Sequence, residues 1–287
     1  MKIPPYWSKA RHPSDSPRGR TDGVVACGWS FSSLEDARKQ AVSRAKHVFE
    51  LVTQGQKPGA YDYADRPVKE EIIEDLSDGN TQIALVTRNR YGALVLNCAN
   101  VLFADIDFPS AAPKGLLEAL AFMFMPGKRE EKRKAIALET AQGIAQWADS
   151  HPAHSFRMYR TRQGLRLLFT DKLYDPASEE TLAILRGLNS DPMYIKLTQK
   201  HECFRARLTA KPWRCGCPRP PNSYPWDNAD SERRYREWER QYAGAEAKFR
   251  ACEFIKAFGT MADIVAVKAI AAAHDRLSRV GSAAPLA

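Results

Sequence analysis

The sequence contains no apolar run that is long enough to cross a lipid bilayer. The longest one, around residues 115–125, is interrupted by Glu118, whereas a spanning helix needs roughly 20 predominantly apolar residues. The first residues, MKIPPYWSKARHPSD, lack the apolar core of a secretory signal peptide. We therefore expect a cytoplasmic protein without a membrane partner.

Cysteine is also scarce, with 6 residues in a chain of 287. So few cysteines in a chain of this length, without an export signal, predict reduced thiols rather than a disulfide framework. Hydrophobic residues make up 44% and charged residues 27% of the chain, which is ordinary for a globular protein that buries a sizeable core.

Acidic residues are outnumbered, and the basic excess is concentrated in one segment. The net charge is +9, and residues 157–219 contain 13 Lys and Arg against 6 Asp and Glu, a net of +7. Concentrated positive charge is typical of proteins that bind polyanions or phosphorylated ligands. A solvated basic face without a ligand has the same composition.

Hydrophobic patterning predicts an α+β fold with a mainly antiparallel sheet and flanking helices. Closely spaced strand-like runs favour hairpins over a doubly wound sheet. Strands are predicted at 81–89, 92–98, 101–108, on both sides of a turn at 162–164, and at 194–209. Helices are predicted at 31–52, 68–76, 113–125, 128–150, 178–189 and from 231 onward.

These elements divide the chain into three predicted parts. Residues 1–30, rich in Pro, Ser, Gly and charge, are predicted to form an irregular N-terminal arm. Residues 31–226 are predicted to form an α+β catalytic domain, on which a helical C-terminal region, 227–287, packs. In that last region Tyr235, Trp238, Tyr242 and Phe249 recur at helical spacing, which favours docking on a core over base stacking.

The stretch VLFADIDF, residues 101–108, places two acids in an apolar strand. Alternate side chains of a strand point to one face, so Asp105 and Asp107 lie side by side. Their repulsion is commonly relieved by divalent metals, Mg²⁺ or Mn²⁺, as in polymerases and nucleases. The alternative is that the strand ends at Asp105 and both acids are solvated or paired with arginine.

The D-x-D pair by itself fits three enzyme classes. These are two-metal nucleotidyl transfer, nucleotide-sugar transfer and aspartyl phosphate hydrolysis. The last normally has Thr or Val two residues after the second acid, where this chain has Pro109.

Two basic strands downstream are candidate phosphate-binding elements. The first surrounds the glycine-containing turn TRQG, which lets backbone and cations approach an anion. The second carries two arginines on one strand face, which would form a two-pronged phosphate clamp unless they make cross-strand salt bridges. The candidate phosphate-binding residues are Arg160, Arg162, Arg166, Arg205, Arg207 and Lys211.

A zinc site is a further candidate, formed by an H-x-C and a C-x-C pair. Its ligands would be His201, Cys203, Cys215 and Cys217. The spacing within each pair is tighter than the two to four residues usual for structural zinc, so the residues are also interpreted as ordinary core positions.

The order of these motifs resembles the archaeo-eukaryotic primase superfamily, which includes the bacterial primase-polymerases. That family shows an hhhDhD run, then a small-residue-x-His motif, a further acid and an R-L-P-G-like run. LFADIDF resembles the first motif, RTRQGLRLLF the second and FRARLTAKPW the last, with Asp191 in the place of the third acid. Arg166 stands where the family has its histidine. The resemblance covers residues 81–214.

The resemblance implies an RRM-like, primase-type palm in which Asp105, Asp107 and Asp191 hold Mg²⁺ or Mn²⁺. Nucleoside triphosphates and nucleic acid would then be the partners, and the metals would align a 3′-hydroxyl with an α-phosphate. The family's histidine contacts the incoming phosphates, so Arg166 either supplies that charge or marks the loss of polymerase activity. The leading hypothesis is a metal-dependent nucleotidyltransferase. The alternatives are a catalytically silent nucleic-acid-binding protein and a nucleotide-sugar transferase.

Overall fold

A computed structural model describes residues 1–13, 23–56, 66–113, 115, 120 and 122–287. The chain is α+β, and the strands pair antiparallel throughout the described part. The strands are β1 (Tyr6–His12), β2 (Val24–Ser30), β3 (Glu71–Asp78), β4 (Thr81–Arg88), β5 (Leu94–Cys98), β6 (Phe103–Asp107), β7 (Phe156–Arg160), β8 (Gly164–Phe169), β9 (Phe204–Arg207) and β10 (Glu253–Phe258). The helices are α1 (Leu34–Thr53), α2 (Pro126–Ser150), α3 (Glu179–Gly187), α4 (Pro192–His201), α5 (Ala229–Glu246) and α6 (Val265–Leu277).

The described strands form a hairpin, β1-β2, and two four-stranded sheets. The sheet orders are β3-β4-β5-β9 and β10-β7-β8-β6. A single buried cluster joins the two sheets, with Leu96 and Phe204 from one packed together with Phe103 and Leu167 from the other. The α+β class and the antiparallel pairing are therefore confirmed, whereas the single sheet that was predicted is replaced by two four-stranded sheets in the described part. No helix among the described residues combines the length and the apolar character needed to cross a membrane.

The predicted strands at 81–108 and the strand pair around 162–164 are confirmed as β4, β5, β6, β7 and β8. The helices predicted at 31–52, 128–150 and 178–189 are also present. Ser33 caps α1 by accepting a hydrogen bond from the Asp36 amide. Of the helix predicted at 113–125, six residues lie outside the described part of the chain, and residues 120 and 122–124 are helical.

The N-terminal arm is not irregular as predicted, because β1 and β2 pair over their whole length and pack on α1. The buried face of α1 consists of Ala37, Ala41 and Ala45. A Cβ atom on Gly28 would lie 2.3 Å from the Ala37 carbonyl oxygen. The hairpin can therefore approach the helix closely only because the residues in contact are glycine and alanine.

Two segments have the opposite secondary structure to the one predicted. The segment expected to be helical at 68–76 contains the strand β3, which pairs with β4. The segment expected to be a strand at 194–209 begins with α4, and only Phe204–Arg207 is extended. The local reason is that Asp191 caps α4 and Pro192 occupies its first turn, where the missing N–H has no cost.

The C-terminal region is not purely helical, because β10 lies between α5 and α6 and pairs with β7. This strand makes residues 253–258 part of a central sheet rather than of a separate region. The aromatic stripe of α5 is buried, as predicted, with Tyr235, Trp238 and Tyr242 packed together.

Candidate functional site

The site is organised by the pairing of β6 with β8. Asp105 lies opposite Arg166, and Asp107 lies opposite Gly164. Gly164 is required there because a Cβ atom at this position would lie 2.2 Å from the Ile106 carbonyl oxygen. The two aspartates therefore have different cross-strand neighbours, one a cation and the other a residue without a side chain.

Asp105 forms an ion pair with Arg166 at the base of the site. Arg166 Nε lies 2.9 Å from Asp105 Oδ1, and Nη2 lies 3.3 Å from Oδ2. The guanidinium is 2% exposed and also donates to the Arg207 carbonyl oxygen at 2.8 Å. Burial alone would lower the pKa of Arg166, but the Asp105 carboxylate raises it above its ordinary value.

Arg166 therefore does not present its charge to a ligand, contrary to the prediction that it binds phosphate. It joins β8 to β6 and β9 from inside the protein. The arginine that the resemblance sets in the place of the primase histidine therefore has a structural role. For Asp105, the alternative interpretation of the D-x-D motif, in which its acids pair with arginine, is therefore the one that fits.

Asp107 is exposed and forms no ion pair within the described residues. Partial burial and repulsion from Asp105 and Asp191 raise its pKa, while Lys211 and Arg214 act in the opposite direction. Asp107 is therefore the acid of the motif whose charge the fold leaves uncompensated.

Asp191 lies next to this motif but acts as a helix cap. Its Oδ1 atom accepts from the Tyr194 amide at 2.8 Å, and its own amide lies 3.4 Å from the Asp105 carbonyl oxygen. The described part of the chain holds no group of three His, Cys, Asp or Glu arranged to bind a metal. The predicted metal-binding role of the three acids stays a prediction, and one of them, Asp105, is already paired with Arg166.

The predicted clamp of Arg205 and Arg207 is wrong, because Arg205 is neutralised within the fold. Its Nη2 atom lies 2.7 and 2.6 Å from the two carboxylate oxygens of Glu70, and Glu70 also accepts from Thr87 at 2.5 Å. Arg207 has no acidic partner in the described residues, and its Nη1 atom donates to the Thr209 carbonyl oxygen at 3.0 Å.

Arg207 belongs to a group of cations that we call the cationic cluster. None of its members forms an ion pair with a described carboxylate, and their charges repel one another. Burial, Arg207 and Arg214 lower the pKa of Lys211. Burial, Arg207 and Arg162 lower the pKa of Arg214 to about 10, which leaves it charged at neutral pH. The members are Arg162, Arg207, Lys211 and Arg214.

Arg214 was not among the predicted residues, although a local signal for it exists. Residues Pro212–Arg214 form a 3₁₀ helix that Lys211 precedes. Side chains three residues apart eclipse in such a helix, so Lys211 and Arg214 share one side of it. Pro212, in the sequence KPWR, is the local signal that indicates this turn.

Arg160 is at the edge of the site. Its guanidinium lies 4.2 Å from the centre of the Phe108 ring, and burial lowers its pKa while Glu253 and Glu130 oppose that shift. It pairs across strands with Glu253 in the β7–β10 ladder. Its predicted role in phosphate binding stays a prediction.

An exposed indole lies beside the cationic cluster. The Trp213 side chain is 44% exposed. The Tyr91 ring contacts it edge-on with centroids 5.3 Å apart, and the Lys211 ammonium lies 5.6 Å and the Arg219 guanidinium 5.2 Å from its centre. Exposed aromatics interleaved with cations are typical of single-stranded nucleic-acid sites.

The predicted zinc ligands are not assembled. His201 Nε2 lies 3.0 Å from the Arg66 carbonyl oxygen, and Cys203 is fully buried. Cys215 and Cys217 pack instead against the aromatic stripe of α5. Within the described ranges no metal-binding group includes them, and the core interpretation is the one that fits.

No protein-family model, no curated protein and no solved structure matches this chain. The functional assignment therefore depends on the residues of the site. These are one uncompensated carboxylate, four cations without an acidic partner among the described residues, and an exposed indole.

Proposed function

We propose that the protein binds the phosphates of a nucleotide or of single-stranded nucleic acid at the cationic cluster. The observation that carries this proposal is the grouping of Arg207, Lys211 and Arg214 without an ion-pair partner among the described residues; burial first, and repulsion from neighbouring cations second, lower the pKa of each. Like charges held together without counterions destabilise the folded protein, and a bound anion removes that cost. Arginine and lysine groups match the oxygens of phosphate in charge and hydrogen-bonding geometry.

The exposed indole supports nucleic acid over a simple phosphorylated metabolite. Trp213 follows Lys211 by two residues and precedes Arg214, so a ring that can stack on a base is adjacent to cations that can neutralise its phosphate. Stacking on aromatic side chains tolerates any base. The affinity for nucleic acid should therefore depend mainly on charge and only weakly on the base sequence.

Nucleotidyl transfer of the primase-polymerase type is a second candidate, supported by the state of Asp107. Its raised pKa reflects partial burial first and then repulsion from Asp105 and Asp191, and a divalent cation shared with a triphosphate would relieve that repulsion. Such a cation, when bound, would stabilise charge on the reacting phosphate. Lys211 and Arg214 would neutralise the remaining phosphates, and the β10-β7-β8-β6 sheet would be the palm. Nucleotide-sugar transfer gains no comparable support, because Asp105 of the D-x-D pair already forms an ion pair with Arg166.

The binding proposal is tested by fluorescence anisotropy with a labelled oligothymidine over a range of salt concentrations. Lys211→Ala/Arg214→Ala should weaken binding, and the slope of log K against log salt should decrease by roughly one for each lost phosphate contact. The control is Lys39→Ala/Lys46→Ala, which removes the same charge from the exposed face of α1. Equal affinities for the two double variants would overturn the proposal.

The transferase candidate is tested by primer-independent and primer-dependent nucleotide incorporation with Mg²⁺ or Mn²⁺. Asp107→Asn should abolish incorporation and leave oligonucleotide binding intact. Full incorporation by this variant would exclude the candidate. Metal-independent binding without turnover in the unaltered protein would leave the silent nucleic-acid-binding alternative.

A further inference from the structure

A cleft of about 320 Å³ opens beside Asp107, on the side of the site that faces α2. Its volume is at the lower end of the range for small-ligand sites, roughly 300–1,000 Å³. The cleft lies between the end of β6, the middle of α2 and the turn after α3. Its lining includes Ile106, Asp107, Ile144, Trp147, Leu188 and Asn189.

Asp107 connects this cleft with the surroundings of the cationic cluster. It lines the cleft, and it is within electrostatic reach of Lys211 and Arg214. The cleft and the cationic cluster therefore both border on Asp107. The cleft itself contains no cationic side chain among its lining residues, so its chemistry differs from that of the cluster.

The walls of the cleft are apolar, aromatic and held in place by packing. Ile144 and Leu188 are buried in the main core. The Trp147 ring stacks on His151 with centroids 4.2 Å apart. A Cβ atom on Gly187 would lie 3.3 Å from Trp147 Nε1, so the turn after α3 also confines the indole. A rigid apolar slot with an aromatic wall suits a planar heterocycle.

Two polar side chains of the lining have no partner within the described residues. The Asn189 carboxamide and the Glu139 carboxylate form no hydrogen bond and no ion pair there. Asn189 has φ 54°, in the left-handed region. An amide that donates and accepts, together with a carboxylate that accepts, can read the polar edge of a base.

We propose that this cleft receives the base and ribose of a nucleotide whose phosphates lie on the cationic cluster. The ligand class is a nucleoside triphosphate or diphosphate, and the cleft is its nucleoside subsite. This inference rests on the proposed phosphate-binding function. It adds that the preferred ligand is a free nucleotide rather than phosphate groups alone.

Gly143 offers a way to fill the cleft without disturbing the fold. It lines the cleft from α2, and a Cβ atom there would meet nothing within 4 Å. Leucine is a better helix former than glycine, so Gly143→Leu should fold. Gly244→Leu is the matched control, since Gly244 is a helical glycine of α5 with equally open space.

The test is calorimetric titration with ATP, CTP, GTP, UTP and inorganic triphosphate as separate probes. The unaltered protein should bind at least one nucleoside triphosphate roughly tenfold or more tightly than inorganic triphosphate. Gly143→Leu should remove that difference and leave the affinity for inorganic triphosphate unchanged, whereas Gly244→Leu should change neither. Asn189→Gly, which keeps the left-handed backbone and deletes the carboxamide, should weaken nucleoside triphosphate binding only.

The outcomes separate the two proposals. Equal affinity for nucleoside triphosphates and inorganic triphosphate, or unchanged nucleotide binding by Gly143→Leu, would overturn the nucleoside subsite while the phosphate site stands. Failure of inorganic triphosphate and of oligonucleotide to bind the unaltered protein would overturn the phosphate site itself.

Discussion

The charged residues at the candidate site form two sets, which we call the lower and the upper layer. Those of the lower layer form ion pairs within the fold, and those of the upper layer do not. In the lower layer Asp105 pairs with Arg166 and Glu70 pairs with Arg205. In the upper layer Asp107 and Arg207, each two residues further along the same strands, form no ion pair within the described residues.

Strand register explains this difference. Asp105 lies opposite an arginine, whereas Asp107 lies opposite Gly164, which has no side chain and no room for one. A step of two residues along a strand keeps the same face but changes the cross-strand neighbour. Charges that the sheet pairs have a structural role, and the charges that it leaves unpaired are the ones to which we assign ligand binding.

The largest effect is expected from breaking the lower layer. Asp105→Asn leaves the Arg166 guanidinium buried without its counterion, which should reduce the free energy of unfolding by about 3–5 kcal/mol. Asp107→Asn should be neutral or stabilising at neutral pH, because partial burial and repulsion from Asp105 and Asp191 raise the pKa of this carboxylate and so disfavour its charged form in the folded protein. Urea denaturation of both variants measures the contrast. A similar loss of stability in both would contradict the division into two layers.

Removing the exposed indole should have the next largest effect, and on binding alone. Trp213→Ala should weaken oligothymidine binding by about 1–3 kcal/mol, the usual value of one base stacked on an aromatic ring. Binding of inorganic triphosphate should not change, since it contains no base. Anisotropy and calorimetry give the two affinities. An equal loss for both ligands would mean that the variant disturbs Lys211 or Arg214 rather than a stacking surface.

Double-mutant cycles compare the layers directly. A cycle on Glu70 and Arg205, built from Glu70→Gln and Arg205→Met, should give a coupling energy within the 0.5–3 kcal/mol seen for contacting charges. A cycle on Asp107 and Lys211 should give a smaller one, because this pair interacts at longer range. Unfolding free energies of the single and double variants provide both values. Equal coupling in the two cycles would show that Asp107 is paired in solution.

The parts of the fold that could be predicted are those with strong local periodicity. The runs of β4, β5, β6 and β8 are buried and apolar, so short windows identify them. The strand β10 is mostly exposed or half-buried, and its pairing with β7 depends on residues about 100 positions away. In 194–209 the apolar residues fit both a strand and a helix, and the cap formed by Asp191 and Pro192 decided the outcome.

The proximity of the D-x-D motif to the basic segment could be predicted, but the ion pairs that their residues form could not. The D-x-D motif and the basic segment after residue 157 do meet at one place. Which acid is neutralised depends on the register of β6 against β8, and which arginine is neutralised depends on Glu70, more than 130 residues earlier in the chain. Neither relation leaves a local signal, so Arg166 and Arg205 were expected to bind phosphate although both are paired inside the fold.

The smallest predicted effect is the pH dependence of anion binding, which sharpens the contrast between Asp107 and its basic neighbours. The pKa of Asp107 is raised, so this acid takes up a proton earlier as the pH falls, and the site becomes more positive. The pKa of Lys211 is lowered and that of Arg214 is about 10, so positive charge is lost earlier as the pH rises. Affinity for oligothymidine, whose phosphodiesters stay ionised, should therefore decrease steadily from acid to alkaline pH. The acid-side change should be about fivefold, the equivalent of about 1 kcal/mol for one charge a few ångströms away in water. Asp107→Asn should lose the acid-side change and keep the alkaline one, and an unchanged acid-side profile in this variant would assign the titration to another group.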